Sequence, residues 1–251
     1  MTNNELDLTK ANYGTVKGLE YALAVLPWGA TEPHNLHLPY TTDSILAQAL
    51  SIDAADAVKE RTNIRCMVLP PITLGSQNPG QWSLPFCIHT RYETQKAILT
   101  DIVSSLYRQG LRKLIIVNGH GGNAFKNMVR DLAYDYPDFT LATADWFCVD
   151  PATYFEAADD HAGELETSVM MHYHPELVNL EDAGAGASKD FALESLRNKT
   201  GWIPRDWSKA SVDTGIGCPY LATSSKGAAY ASACVHQLSL LFEEIATKAI
   251  Y

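Results

Sequence analysis

The sequence predicts an α/β protein with a mostly parallel central sheet, and three observations carry the prediction. Short apolar runs recur along the 251 residues without the in–out alternation of a half-solvated strand. Segments with apolar residues at helical spacing lie between them, so strands and helices alternate. A chain that is 46% hydrophobic and 19% charged can also bury a large core. Strands buried on both faces need helices on both sides of the sheet. The length suits one domain spanning residues 1–251.

The elements follow in order. Tyr21 to Leu26 forms a short buried strand closed by Pro27 and Gly29, and the two prolines in residues 30–43 make that stretch a loop. A helix is expected from about Ser44 to Arg61, with Ile45, Ala49, Ile52 and Val58 among its apolar positions and Thr42 and Asp43 at its N-cap. Met67 to Leu69 is the second strand, followed by a long loop over residues 70–92 rich in Gly, Pro, Ser and Gln. Ile98, Ile102, Val103 and Leu106 place one apolar stripe on a helix over residues 93–109. Leu114 to Val117 is a doubly buried strand, and the NGHGGN segment beginning at Asn118 is its exit loop. A helix to about Tyr134, a strand from Phe139 to Ala144 and a helix from about Ala162 to His172 follow. Residues 181–225 read as irregular, and a last helix runs from about Ala228 to Ala249 on the stripe Ala231, Val235, Leu238, Leu241 and Ile245. In open parallel sheets the functional loops leave the carboxyl ends of the strands. That rule selects the loops after residues 21–26, 114–117 and 139–144.

Charge and composition exclude several classes. A formal net charge of −10 and the lack of any Lys/Arg block argue against a nucleic-acid surface. The five cysteines, Cys66, Cys87, Cys148, Cys218 and Cys234, are scattered and never in CxxC spacing, as in reduced thiols of a cytoplasmic protein. No apolar run is long enough to span a bilayer, and residues 1–20 carry no signal-peptide core, so no membrane association is expected.

Potential ligands concentrate in the selected loops. Glu32, His34 and Asp43 lie in the loop after the first strand, and carboxylate with imidazole is a set that Zn, Mn or Fe(II) accepts. His120 sits on a glycine-flanked turn at a strand's carboxyl end, where Gly121 and Gly122 let the backbone approach a ligand. The turn matches neither GxxxxGK[ST] nor GxGxxG, which removes a phosphate cradle. His161, Glu164 and Glu166 cluster where a helix begins, although carboxylates at a helix N-terminus also arise from dipole pairing alone.

These segments resemble the creatininase (creatinine amidohydrolase) family. LPWGATEPHNLHLPYTTD matches its E-x-H-x-x-H-L-P signature with a following Asp, and IVNGHGGN and HAGELETS match its second and third signatures. GCPYLATSSKG, residues 217–227, is similar to its terminal element. The resemblance runs from about residue 20 to the C-terminal helix. It implies a three-layer α/β/α sandwich, two divalent metal ions per subunit and a homohexamer. It further implies that Asp43 bridges the metals, that Glu32 and His120 hold one and His34 the other, and that His161 shuttles a proton. Two metals about 3.5–4 Å apart would deliver a bridging hydroxide near neutral pH and polarise an amide carbonyl. A histidine has the right ordinary pKa to protonate the leaving nitrogen.

This chain departs from the creatinine-cleaving members at several positions. They carry Tyr and a ligand Glu after the NGH histidine, where Gly121 and Gly122 stand here, and the resemblance to HAGE-containing members assigns the missing ligand to Glu164. Trp146 holds the place of one substrate-packing Trp, the second falls at Ala157, and the F-P-G-T turn reads Leu84-Pro85-Phe86-Cys87. His37 and Glu166 are expected to orient neighbours by hydrogen bonds rather than to ligate. The expected activity is hydrolysis of a C–N bond in a cyclic or small amide. The alternatives are a formamide deformylase or small-peptide hydrolase of the same family, a phosphoester hydrolase, and a non-catalytic metal-binding protein.

Overall fold

The computed structural model describes residues 5–157 and 160–251. Four parallel strands, β1 (Leu23–Trp28), β2 (Cys66–Val68), β3 (Lys113–Asn118) and β4 (Thr140–Asp145), form one sheet in the order β2-β1-β3-β4. Eight α-helices accompany them among the described residues: α1 (Tyr13–Val16), α2 (Thr42–Thr62), α3 (Tyr92–Arg108), α4 (Lys126–Asp135), α5 (Glu164–Tyr173), α6 (Glu194–Arg197), α7 (Trp207–Ala210) and α8 (Ser224–Thr247). No helix among the described residues is long and apolar enough to cross a membrane.

The strands show why the sequence lacked alternation. Leu23 and Val25 of β1 pack with Ile115 and Val117 of β3 into a core shared with α2, α5 and α8. Ala24, Leu26 and Trp28 face the other way, with Leu114 and Ile116, onto α3 and α4. Each residue of β1 is buried on one side or the other, so both parities must be apolar. The result is the α/β/α three-layer arrangement, its crevice opening between the carboxyl ends of β1 and β3, where Trp28 pairs with Asn118.

Boundaries shift for identifiable reasons. Pro27 does not end β1, because the neighbouring chain uses its carbonyl, which accepts from Ile72 N–H at 3.0 Å, and needs no N–H. The cap of α2 is Thr41 rather than Thr42 or Asp43, and its side chain makes no capping bond. Asp43 enters the first turn, where the helix dipole favours a carboxylate. α8 begins four residues earlier than its apolar stripe suggests, since the Thr223 side chain accepts from Lys226 N–H at 3.2 Å. The segment over residues 181–225 is mostly irregular but holds the short α6 and α7.

α5 and α8 approach at Gly227, where a Cβ would stand 1.9 Å from the Ser168 carbonyl oxygen. Gly227→Ala should therefore lower stability by about 3 kcal/mol in urea melts of metal-free protein, the upper end for overpacking. Gly201→Ala, whose Cβ meets only Leu196 Cδ2 at 3.8 Å, is the control and should change stability by less than about 0.5 kcal/mol.

Candidate metal centre

Two glycines bring the selected loops together. A Cβ on Gly29, after β1, would lie 2.4 Å from Ser44 N, and one on Gly119, after β3, would lie 2.3 Å from the Asp43 carbonyl oxygen. Only bare backbone lets both strand exits press against the first turn of α2. Asp43 is thereby held between the two loops, its carboxylate 2% exposed. The loop after β1 doubles back, with Glu32 N–H donating to the Tyr40 carbonyl and Asn35 turning through a left-handed φ of 53°. That turn aims Glu32 and His34 inward.

Backbone carbonyls set the tautomers of three imidazoles. His34 Nδ1 lies 3.0 Å from the Glu32 carbonyl, His120 Nε2 lies 2.7 Å from that of Ser76, and His161 Nε2 lies 2.9 Å from that of Pro33. A carbonyl only accepts, so each of these nitrogens carries a hydrogen. The other nitrogens turn toward carboxylates. His34 Nε2 is 3.0 Å from Asp43 Oδ1, and His120 Nδ1 is 2.9 Å from Glu32 Oε1 and 3.2 Å from Asp43 Oδ2. His161 Nδ1 stands 3.8 Å from Glu32 Oε1. Neutral imidazoles would set lone pair against lone pair here, and Asp43 Oδ2 has no hydrogen-bond donor. A cation between nitrogen and oxygen resolves both conflicts, and ligand histidines usually give their second nitrogen to a carbonyl or carboxylate in this way.

The electrostatics agree. Burial pushes the His34 pKa down, but the Asp43 carboxylate beside it prevails and lifts it to about 10. Burial also opposes protonation of His120, and Glu32 and Asp43 overcome it. Asp43 is driven well below the usual carboxylate range, its burial outweighed by His34 and His120. The carboxylates thus demand positive charge, which protons or a metal can supply. Three groups of side chains have ligand atoms within 4.8 Å of one another: Glu32, Asp43 and His120; His34, Asp43 and Glu166; and Glu32, His34 and His161.

Glu164 departs from its expected place. Its carboxylate pairs with Lys226 Nζ at 2.6 Å and accepts the N–H groups of Glu156 and Ala157 at 2.9 and 3.0 Å. With both oxygens engaged, it belongs to none of the three groups. Glu166 stands with His34 and Asp43 instead, while accepting from Ala162 N–H at 2.5 Å. His37 lies outside the groups, bonded through Nε2 to Thr167 Oγ1 at 2.8 Å. Burial, with His34 close by, pushes its pKa down to about 4.

A cavity of about 950 Å³ opens beside Glu32, His120 and His161. Gly121 and Gly122 line it. Gly121 faces open space, whereas a Cβ on Gly122 would come 2.2 Å from the Ser76 carbonyl oxygen and 2.4 Å from His120 Nε2. No side chain fits there while the His120–Ser76 bond stands. Trp146, expected to touch substrate, does not line the cavity. It is fully buried, packed edge-on against Phe147 and Tyr230. The aromatic wall comes instead from Phe191, Trp202 and Trp207, in the segment the sequence left irregular. Trp207 presents its ring to His161 at 5.4 Å between centroids. Gln81 was also missed, and its Nε2 donates to Glu32 Oε2 at 2.5 Å. Neither residue has a local signal, since Gln81 is brought in by a loop and Trp207 by the four-residue α7.

Comparison with known proteins now decides the family. The model of the family described as "Creatininase: Creatinine amidohydrolase" matches residues 8–242. The chain belongs to the creatininase family. It is 34% identical over 181 residues to the mycofactocin precursor peptide peptidase of Mycobacterium ulcerans, covering 69% of this chain and 68% of that one. A crystal structure from Bacteroides fragilis, provisionally described as a creatinine amidohydrolase, is 59% identical, covers 99% of both chains and superposes with a TM-score of 0.98. A creatininase variant crystallised in a Zn-Zn form shares the fold at a TM-score of 0.77, with 23% identity over 96% of this chain and 98% of that one. The family and its peptidase member are named for hydrolysis, and this creatininase-family chain is a hydrolase.

The Glu164–Lys226 pair generates a prediction. Glu164 is fully buried, so Lys226→Met strands a charge and should cost about 3 kcal/mol in chemical melts at neutral pH. An unchanged midpoint would show that the two backbone N–H groups suffice.

Proposed function

We propose that this chain is a single-domain, dinuclear metal-dependent amidohydrolase, assembled in the cytoplasm as a homohexamer. The observation that carries the reading is the position of Asp43, which belongs to two ligand groups and has Oδ1 3.0 Å from His34 Nε2 and Oδ2 3.2 Å from His120 Nδ1. Glu32, Asp43 and His120 would hold one divalent ion, and His34, Asp43 and Glu166 the other. Two divalent ions with three carboxylates leave one positive charge, which a hydroxide neutralises. Such ions supply Lewis acidity and a hydroxide nucleophile at neutral pH. The free cysteines support a reducing compartment, and the exposed Trp82 and Phe86 support burial by neighbouring copies.

The chain's own groups account for the remaining chemistry. Gln81 fixes one oxygen of Glu32, leaving Oε1 toward His120. His161, with its Nε2–H given to Pro33, keeps Nδ1 for taking up a proton and handing it to the leaving nitrogen. Trp207 packs perpendicular to this imidazole, with 5.4 Å between ring centroids. A second reading makes His161 a ligand, since it groups with Glu32 and His34.

Metal analysis after chelation and reloading separates these assignments. Wild type and Glu164→Gln should hold two ions per chain, Glu166→Gln about one, and Asp43→Ala fewer than wild type. Full occupancy in Glu166→Gln, with a loss in Glu164→Gln, would reverse the carboxylate assignment. His161→Gln should keep its metal while kcat falls by roughly 10²–10⁴, and loss of metal would instead make it a ligand. A screen of dipeptides, lactams, hydantoins and formamides supplies the substrate for that assay.

Creatinine itself should be turned over poorly, because Gly121 faces open space, Gly122 brings no carboxylate and Trp146 is withdrawn into the core. A kcat/KM for creatinine reaching about 10⁴ M⁻¹s⁻¹, the lower end of the common enzyme range, would refute this.

A further inference from the structure

The cavity beside the metal centre reaches a wall unlike the rest of the molecule. Across the whole chain 29 acidic residues outnumber 19 basic ones. The cavity lining departs from that excess: Arg197, Lys199 and Arg205 equal in number Glu32, Asp160 and Asp190. Arg205 is spent, because it pairs with Asp160 and lies over the Trp207 ring at 5.4 Å. The other two cations are not. Arg197 uses Nη1 on the Phe191 and Ala192 carbonyls at 2.6 and 2.9 Å, which fixes the guanidinium without an acidic partner. No carboxylate among the described residues comes within ion-pair distance of Arg197 or Lys199. Phe191, Trp202 and Ile203 stand beside them on the same wall, and Trp202 is 82% exposed.

We infer that Arg197 and Lys199 read an anionic group on the substrate that takes no part in the bond that is cut. The natural substrate class is then an amide bearing a free carboxylate and an apolar or aromatic side chain, such as an N-acyl amino acid or the carboxyl end of a short peptide. Three features support this. A cavity of about 950 Å³ lies near the top of the range of about 300–1,000 Å³ for larger small-molecule ligands. A guanidinium held by two carbonyls has less conformational freedom to lose when it takes a carboxylate. The apolar side chains of Phe191, Trp202 and Ile203 in the same cavity lining suit a substrate side chain. In the reaction, water adds across the amide C–N bond: the acyl carbon keeps the oxygen as a carboxylate, and the nitrogen leaves as an amine carrying the proton. The recognised carboxylate is unchanged throughout, so it contributes to binding rather than to bond cleavage.

The inference rests on the amidohydrolase reading of the same site, and its test is read without turnover. Tryptophan fluorescence of metal-loaded protein would be titrated with N-acetyl-L-phenylalanine, with its neutral amide N-acetyl-L-phenylalaninamide, and with phenyl phosphate. The carboxylate probe should bind about tenfold more tightly than the neutral one, the scale of one charge-assisted hydrogen bond. That preference should fall with added salt. Arg197→Gln and Lys199→Gln should each erode it severalfold and together abolish it, Arg197→Lys should retain part of it, and affinity for the neutral probe should not move. Lys199→Gln alone keeps the test sound if Arg197→Gln disturbs its loop. Equal affinity for the two acetylated probes, no saturable binding of either, or a preference that survives the double variant would overturn the inference. Tighter binding of phenyl phosphate than of the carboxylate would reassign the wall to phosphate. Metal content and screened turnover in the same preparations report on the amidohydrolase reading separately, because either can fail while the binding preference stands.

Discussion

The site depends on the contact between the first turn of α2 and the two strand exits at Gly29 and Gly119. Built Cβ atoms there would meet Ser44 N at 2.4 Å and the Asp43 carbonyl oxygen at 2.3 Å. Replacing either glycine would push Asp43 away from Glu32 or His120, which belong to different strand exits. The contact also sets electrostatics, since it aims the positive end of a 21-residue helix at the crevice and stabilises the Asp43 carboxylate there. Sheet order matters equally. β1 and β3 are distant in sequence but adjacent in the sheet, so one crevice receives both loops.

Around Asp43 the fold spends backbone carbonyls on imidazoles. Glu32, Pro33 and Ser76 each fix one ring nitrogen, and all three rings then turn their second nitrogen to the carboxylates. Such an arrangement is unfavourable for a protein without added positive charge, because buried acceptors facing one another gain nothing and lose water. The cost becomes binding energy when a cation arrives. Rigidity follows from the same bonds, as each ring is anchored at its rear before any ligand enters.

Much of this was legible in the chain. Doubly apolar runs announced a parallel sheet covered on both sides, and the carboxyl-end rule selected the loops that hold Glu32, His34 and His120. Element boundaries moved by only a few residues, for causes such as Pro27 serving the sheet through its carbonyl. The cavity wall was not legible. Gln81 arrives from a loop whose composition carries no period and Trp207 from the four-residue α7, too short to carry one, and position alone does not show that Trp146 packs against Tyr230 of α8 in the core. Local pattern records which residues want burial, and a tryptophan satisfies that demand equally well against a core or a substrate.

The placement of Glu166 rather than Glu164 beside His34 and Asp43 shows where sequence reasoning stops. Residues two apart on a helix point about 200° from one another, so only one of the pair can face the metal centre. Composition cannot choose between them, since both are glutamates and both sit at a dipole-favoured N-terminus. The choice is made by Lys226, sixty-two positions further on, whose ammonium meets Glu164 at 2.6 Å. Lys226 is itself placed by the packing of α8 on α5, which requires Gly227 beside Ser168. The terminal ATSSKG segment, far from the catalytic loops in sequence, thus determines which carboxylate turns toward His34 and Asp43. By binding Glu164 against the N–H groups of residues 156 and 157, it also ties the chain that leads into His161 to the C-terminal helix. The orientation of the two glutamates and the placement of His161 are therefore two consequences of one buried ion pair.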